Sequence, residues 1–105
     1  MSAIFVYVTV PTVAEAKEIA KTVVEDRLAA CANILPGMHS IYQWQGKIEQ
    51  AEECVVLFKT RATLFQALEA CVKEMHKYSN PCIVSLPVTA GSASYLDWIM
   101  NETKP

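Results

Sequence analysis

The chain has no surplus of basic residues, no long apolar run and no close cysteine pair, and each lack argues against a class of function. Nine Lys and Arg stand against eleven Asp and Glu, for a net charge of −2. Neutralising nucleic-acid phosphates takes a basic excess, so nucleic acid is not expected as a partner. No stretch approaches the roughly 20 apolar residues that span a bilayer, so no membrane partner is expected either. The opening residues, Ser2-Ala3-Ile4-Phe5-Val6-Tyr7-Val8, show no basic region and no small-residue cleavage site. They read as a strand, and the expected compartment is the cytoplasm. Cysteines stand at 31, 54, 71 and 82 with no C-x-x-C spacing. Without an export signal, reduced thiols are the expected state.

The sequence motifs of catalysis are missing as well. There is no P-loop, no G-x-G-x-x-G and no H-E-x-x-H. Nucleophilic catalysis needs a thiol or hydroxyl with a base beside it. The only imidazoles, His39 and His76, are not paired with a cysteine in sequence. The chain is not expected to be an enzyme.

What remains is a chain of 105 residues, 52% apolar and 19% charged. That length suits a single domain over residues 1–105. A core this small gains from oligomerisation, and a charged fraction below the usual one in four or so hints at covered surface.

The pattern along the chain gives the elements. Ala3 to Val10 is almost wholly apolar and β-branched, which suits a central strand buried on both faces. Thr12-Val13-Ala14-Glu15 is a capping box, followed at helical spacing by Ala16, Ile19, Ala20, Val23, Val24 and Leu28. Cys31 to Ile34 reads as strand, Pro36-Gly37 as a bend or bulge, and Ser40 to Trp44 as strand again. Gln45-Gly46 is a turn, and Lys47 to Thr60 returns as the second arm of a long hairpin. Its tip projects past so small a domain and leaves edges for a partner to cover. Thr63-x-x-Gln66 is a second capping box, with Leu64, Phe65, Leu68, Cys71, Val72 and Met75 as the stripe of a second helix. Residues His76 to Pro81 break it. Cys82 to Val88 is the last main strand, and Ser92 caps a short final helix packed through Tyr95, Leu96, Trp98 and Ile99. The order βαββαβ plus a C-terminal helix, with right-handed crossovers, predicts an α+β fold, the ferredoxin-like plait.

Thiolates and imidazoles suit copper and zinc, so the metal candidates are Cys31, His39, Cys54, Cys71, His76 and Cys82. Most have a plainer reading. Cys71 lies on an apolar helix stripe, Cys54 alternates with Val56 and Phe58, and Cys31 sits among alanines, all of which favour packing. His39 reads equally as a surface strand residue. His76, at a helix end, suits a cation facing the helix dipole as well as it suits a ligand. Cys82 has the best case among the thiols, beside the loop that ends at Pro81. Tyr42, Trp44 and Lys59 suit interface packing, or, with Glu53, a small anion pocket between subunits.

These residues together resemble a known family. Leu28-Ala29-Ala30-Cys31-Ala32-Asn33-Ile34, Pro36-Gly37, Ser40-Ile41-Tyr42, Trp44 and Gly46-Lys47-Ile48-Glu49 are similar to the signature of the CutA divalent-cation tolerance proteins. Glu53, Lys59-Thr60, His76, Tyr78, Pro81, Leu86-Pro87, Gly91 and Tyr95-Leu96-x-Trp98-Ile99 continue the likeness over nearly the whole chain. The resemblance implies a ferredoxin-like homotrimer linked to tolerance of divalent metals, copper above all. It also implies a likeness to PII signalling trimers, which bind small effectors between subunits. The cleft residues would then be Tyr42, Trp44, Glu53, Lys59 and Tyr78. Family thiols proposed as copper ligands fall at Cys31 and Cys71, while a third is replaced by Val8. The family run H-P-Y-E-x-P-E stands here as His76-Lys77-Tyr78-Ser79-Asn80-Pro81-Cys82. Both acids are lost and a thiol takes one place, which suggests a soft-metal site through His76 and Cys82. The resulting expectation is a copper-binding trimer of metal homeostasis, with a PII-like effector sensor or a purely structural trimer as alternatives.

Overall fold

The structure, a computed structural model, describes residues 2–105. Four strands are connected as the sequence predicts: β1 (Ala3–Val10), β2 (Cys31–Trp44), β3 (Lys47–Arg61) and β4 (Ile83–Pro87). They form one antiparallel sheet in the order β2-β3-β1-β4. Helices α1 (Val13–Glu25) and α2 (Phe65–Met75) cover one face, and a third, α3 (Ala93–Asn101), follows β4. This is the ferredoxin-like plait.

Alternation along the strands sorts the side chains. Val6, Val8, Val56 and Phe58 are fully buried and face α1 and α2, where Ala16, Ile19, Val23, Leu68 and Val72 meet them. The residues between them, Phe5, Tyr7 and Thr9 on β1 with Leu57 and Lys59 on β3, face the other way. That second face is only partly covered. At one end α3 lies on it, with the Lys59 Nζ donating to the Tyr95 hydroxyl at 3.1 Å and Ile99 fully buried. Toward the middle, Leu35, Val84 and Leu86 remain between 44% and 50% exposed.

The end of α3 is held by two arginines. A helix leaves its last four carbonyls without intrahelical partners. Here the Thr103 hydroxyl donates to the Ile99 carbonyl at 2.9 Å, and Arg61 donates to Met100. Arg27 serves Asn101 at 2.9 Å and Glu102 at 3.3 Å.

Three expectations about caps fail. At Thr12 the hydroxyl accepts from the Glu15 N–H at 3.2 Å as predicted, but the Glu15 carboxylate goes to Lys77, at 2.9 Å, instead of returning to Thr12. The second capping box does not form. The chain leaves β3 through a 3₁₀ turn, Ala62–Leu64, and Leu64 precedes α2 with no side-chain cap. Thr63 lies inside that turn, whose extended N-cap is Arg61, so it is not placed to cap the Gln66 N–H. Ser92 does precede α3, but its hydroxyl bonds Ser94 rather than the helix.

The hairpin matches the sequence reading closely. Register shifts by one residue between Leu35 and Met38, the bulge announced by Pro36-Gly37. Gly37 has φ +78°, a region that only glycine enters freely. Gln45 and Gly46 both have positive φ, as a two-residue turn matched to strand twist requires. Pairing with β1 stops at Cys54, so the remainder of β3 toward the tip pairs with β2 alone.

Candidate functional site: a groove under the hairpin

The bulge decides which side chains the hairpin presents to the open face. Beyond it, Met38 lies opposite Glu53, Ser40 opposite Ala51, Tyr42 opposite Glu49 and Trp44 opposite Lys47. Those pairs point the same way as Thr9 and Tyr7. The loop after α2 closes the other side with Tyr78 and Cys82, leaving a groove of about 880 Å³.

Glu53 is the central group. It is only 6% exposed, and its Oε2 accepts from the Tyr78 hydroxyl at 3.0 Å. No fully enclosed polar side-chain atom among the described residues lacks a partner. The other oxygen, Oε1, is therefore not fully enclosed, and Glu53 lines both this groove and the smaller pocket beside Pro36 and Gly37. Neither salt bridge among the described residues involves Glu53. A buried carboxylate without a cation is costly, so the site favours positive charge.

The neighbouring groups respond to that carboxylate. Burial first, then the hydrogen bond to Glu53 and its charge, push the Tyr78 phenol up to about 12. Folding thus favours the neutral phenol. This contribution to stability is complete below the ordinary tyrosine value of about 10, and it is lost as pH rises from there through about 12. In an absorbance titration of tyrosinate, the last phase is expected near pH 12 and is expected to vanish in Tyr78→Phe. A wild-type titration finished near pH 10 would refute the arrangement. Burial, and behind it the charge of Glu53, also push the Cys82 thiol up.

His76 is not available as a ligand. Its Nε2 lies 2.7 Å from the Thr9 carbonyl, and its Nδ1 accepts from the Tyr78 N–H at 3.1 Å. These partners require the Nε2–H tautomer. The imidazole ties the end of α2 to β1, and a metal would have to break one of the two bonds.

Nor are the four predicted ligands brought together within a subunit. Cys31 is on the open face in the row of Lys59 and Phe5, while Cys71 packs against the helical core on the other face. Burial, Asp26 and Glu74 push the Cys71 thiol up, away from the thiolate that binds metal. Cys82 lies near Thr9 beside β4, four residues along and three strands across from Cys31. Strand spacings put these two thiols roughly 20 Å apart, whereas two ligands of one ion lie within about 5 Å of each other. No group of three or more His, Cys, Asp and Glu able to hold a metal occurs among the described residues.

Of the predicted cleft set, Tyr42, Trp44, Glu53 and Tyr78 all line the groove. Lys59 does not. It stands six residues along β3 from Glu53, about 20 Å away, with its ammonium 5.2 Å from the Tyr95 ring centre and 5.5 Å from that of Phe5. Within one subunit, Lys59 therefore stands apart from the rest of the set. Lys77 lines the groove, but its ammonium is paired with Glu15. Sequence reasoning passed over Glu49 and Met38. Counting back from Glu53 in twos reaches Glu49 on the same face, and only the bulge sets Met38 opposite Glu53.

A family model for the CutA1 divalent ion tolerance protein matches residues 4–102. The chain belongs to the CutA1 divalent ion tolerance family. The divalent-cation tolerance protein CutA of Thermus thermophilus is 47% identical over 98 residues, which are 93% of this chain and 95% of that protein. The chloroplastic protein CutA of Arabidopsis thaliana is 43% identical over 101 residues, 96% of this chain but 56% of that protein. The chain thus spans little more than half of the plant relative. The crystal structure of CutA1 from Oryza sativa superposes with a TM-score of 0.96 at 40% identity, covering 99% of this chain and 95% of that one. No helix among the described residues is long and apolar enough to cross a membrane.

Proposed function

We propose that this CutA1-family chain acts as a non-enzymatic homotrimer in divalent-cation tolerance and takes up copper or a similar divalent ion in the groove. The observation that carries this reading is Glu53, a buried carboxylate that lines the groove and has no salt-bridge partner among the described residues. Cys82, across the groove on the loop after α2 and close enough for the Glu53 charge to act on its thiol, is the second donor, and the metal would have to displace the proton that burial holds there. One subunit supplies too few ligands for a closed shell, so water or a neighbouring subunit completes it. The names of the relatives support the cation, and the uncovered Leu35, Val84 and Leu86 with the free edges of β2 and β4 support assembly. Four free thiols favour a reducing compartment, and we place the chain in the cytoplasm. Within one subunit, the groove offers a PII-like anionic effector Lys77, which is paired with Glu15.

Copper titration of the reduced protein by calorimetry tests the site. Glu53→Gln and Cys82→Ser are each expected to weaken binding at least tenfold, and unchanged affinity in both overturns it. Sedimentation tests the assembly. The expected mass is three times the 11.6 kDa of the chain, and a monomer at micromolar concentration overturns it.

A further inference from the structure

The bulge brings a sulfur to Glu53 that the copper reading leaves unused. The register shift between Leu35 and Met38 sets Met38 directly opposite Glu53. Directly opposed residues carry their Cβ atoms about 4.5–5.5 Å apart on one face of the sheet, so the thioether and the carboxylate start from the same spot. Met38 is half-buried and stands outside the hydrophobic core, unlike Met75, which packs against it. Its Sδ accepts from the Ser40 hydroxyl at 3.1 Å, which sets the direction of the thioether and leaves its other lone pair free. Cys82 faces the same groove from the loop after α2, near enough for the Glu53 charge to reach its thiol. Glu53 itself is buried and has one oxygen occupied by the Tyr78 hydroxyl.

We propose that the Met38 thioether is a third donor to the ion, beside the Cys82 sulfur and Glu53, and that it makes the site selective for Cu(I) over zinc. The inference rests on the copper reading and narrows it. Donor softness carries it. Thiolate and thioether sulfur together suit Cu(I), whereas zinc takes thiolate, imidazole and carboxylate and gains little from a thioether. Met38 also has no proton to give up, so unlike Cys82 it offers its sulfur to the ion at any pH. The Ser40 bond is the kind of outer contact that orients a metal ligand. Nothing in the arrangement needs an open groove. A neighbouring subunit lying across this face encloses the ion instead of competing with it. The ion binds and leaves as Cu(I), with no electron transferred.

Anaerobic titration of Cu(I) against a chromophoric chelator, and of zinc by calorimetry, tests it in the full reduced chain. The wild type is expected to bind one Cu(I) per subunit, with two sulfur neighbours in X-ray absorption at the copper edge. Met38→Leu conserves volume, so the fold is expected to tolerate it. The variant is expected to bind Cu(I) about tenfold more weakly or worse, to leave one sulfur at the copper and to keep the zinc affinity of the wild type. Cys82→Ser is expected to weaken both ions, which judges the metal reading separately. Unchanged Cu(I) affinity in Met38→Leu overturns the Met38 assignment and leaves the copper reading standing. So does a single sulfur neighbour in the wild type. Equal weakening of Cu(I) and zinc in Met38→Leu overturns it too, because a role in packing alone affects both. No binding of Cu(I) by the wild type overturns the proposal, and zinc or Cu2+ bound in its place would leave the groove a divalent site.

Discussion

Phe58→Ala is expected to destabilise the fold by about 3–5 kcal/mol, the range for emptying a large aromatic site in a core. Phe58 is fully buried and lies in register between Ala32 of β2 and Val6 of β1. Its ring faces the layer formed by α1 and α2. The neighbours Val6, Val8 and Val56 are short, β-branched and stiff at χ1, and Ala32 has no side chain to swing inward. The site has little means of collapsing, so the effect belongs toward the upper end. Urea unfolding at one fixed protein concentration measures it, because stability depends on concentration if subunits associate. A loss below about 1 kcal/mol would mean that the helices close onto the gap, contrary to the packing argument.

Arg61→Ala is the other large effect, expected at about 3 kcal/mol or more. Arg61 is 8% exposed and donates to the Thr103 hydroxyl at 3.0 Å and to the Met100 carbonyl. Hydrogen bonds from a charged donor contribute about 1.5–3 kcal/mol each. Removing the guanidinium strips at least these two and leaves acceptors without their donor. It also removes a cation from the negative end of α3. Arg61→Lys is expected to recover only part of the loss, because an ammonium cannot reproduce the forked geometry. Thermal unfolding of the three proteins measures the series. Equal midpoints for wild type and Arg61→Ala would show that α3 is held without it, by Ile99, Tyr95 and Arg27.

The fold was legible because its signals are local. Unbroken apolarity marked β1 as a central strand, and the single-residue bulge was announced by Pro36-Gly37. The turn was announced by Gln45-Gly46, and the first capping hydroxyl by Thr12. The second box failed because the chain enters α2 through a 3₁₀ turn that already includes Thr63. Site geometry was harder to read, because it depends on which face the helices take. Cys31 and Cys71 look alike in a list of thiols, yet one stands on the open face of the sheet and the other packs against the helical layer. His76 gave no sign that Thr9, 67 positions away, would occupy its Nε2. Lys59 and Glu53 share a face but not a neighbourhood, a distinction that needs the rise per residue as well as the alternation.

The arms of the hairpin are adjacent in sequence, so they can zip within microseconds, long before β1 finds β3 across α1 and β2. Past Cys54, however, their backbones pair only with each other, and an isolated two-stranded ribbon is marginal in water. The segment bearing Tyr42, Trp44 and Glu49 is therefore formed early and frays continually. Whatever settles against it last, another subunit or a bound cation, supplies the order that its own hydrogen bonds do not.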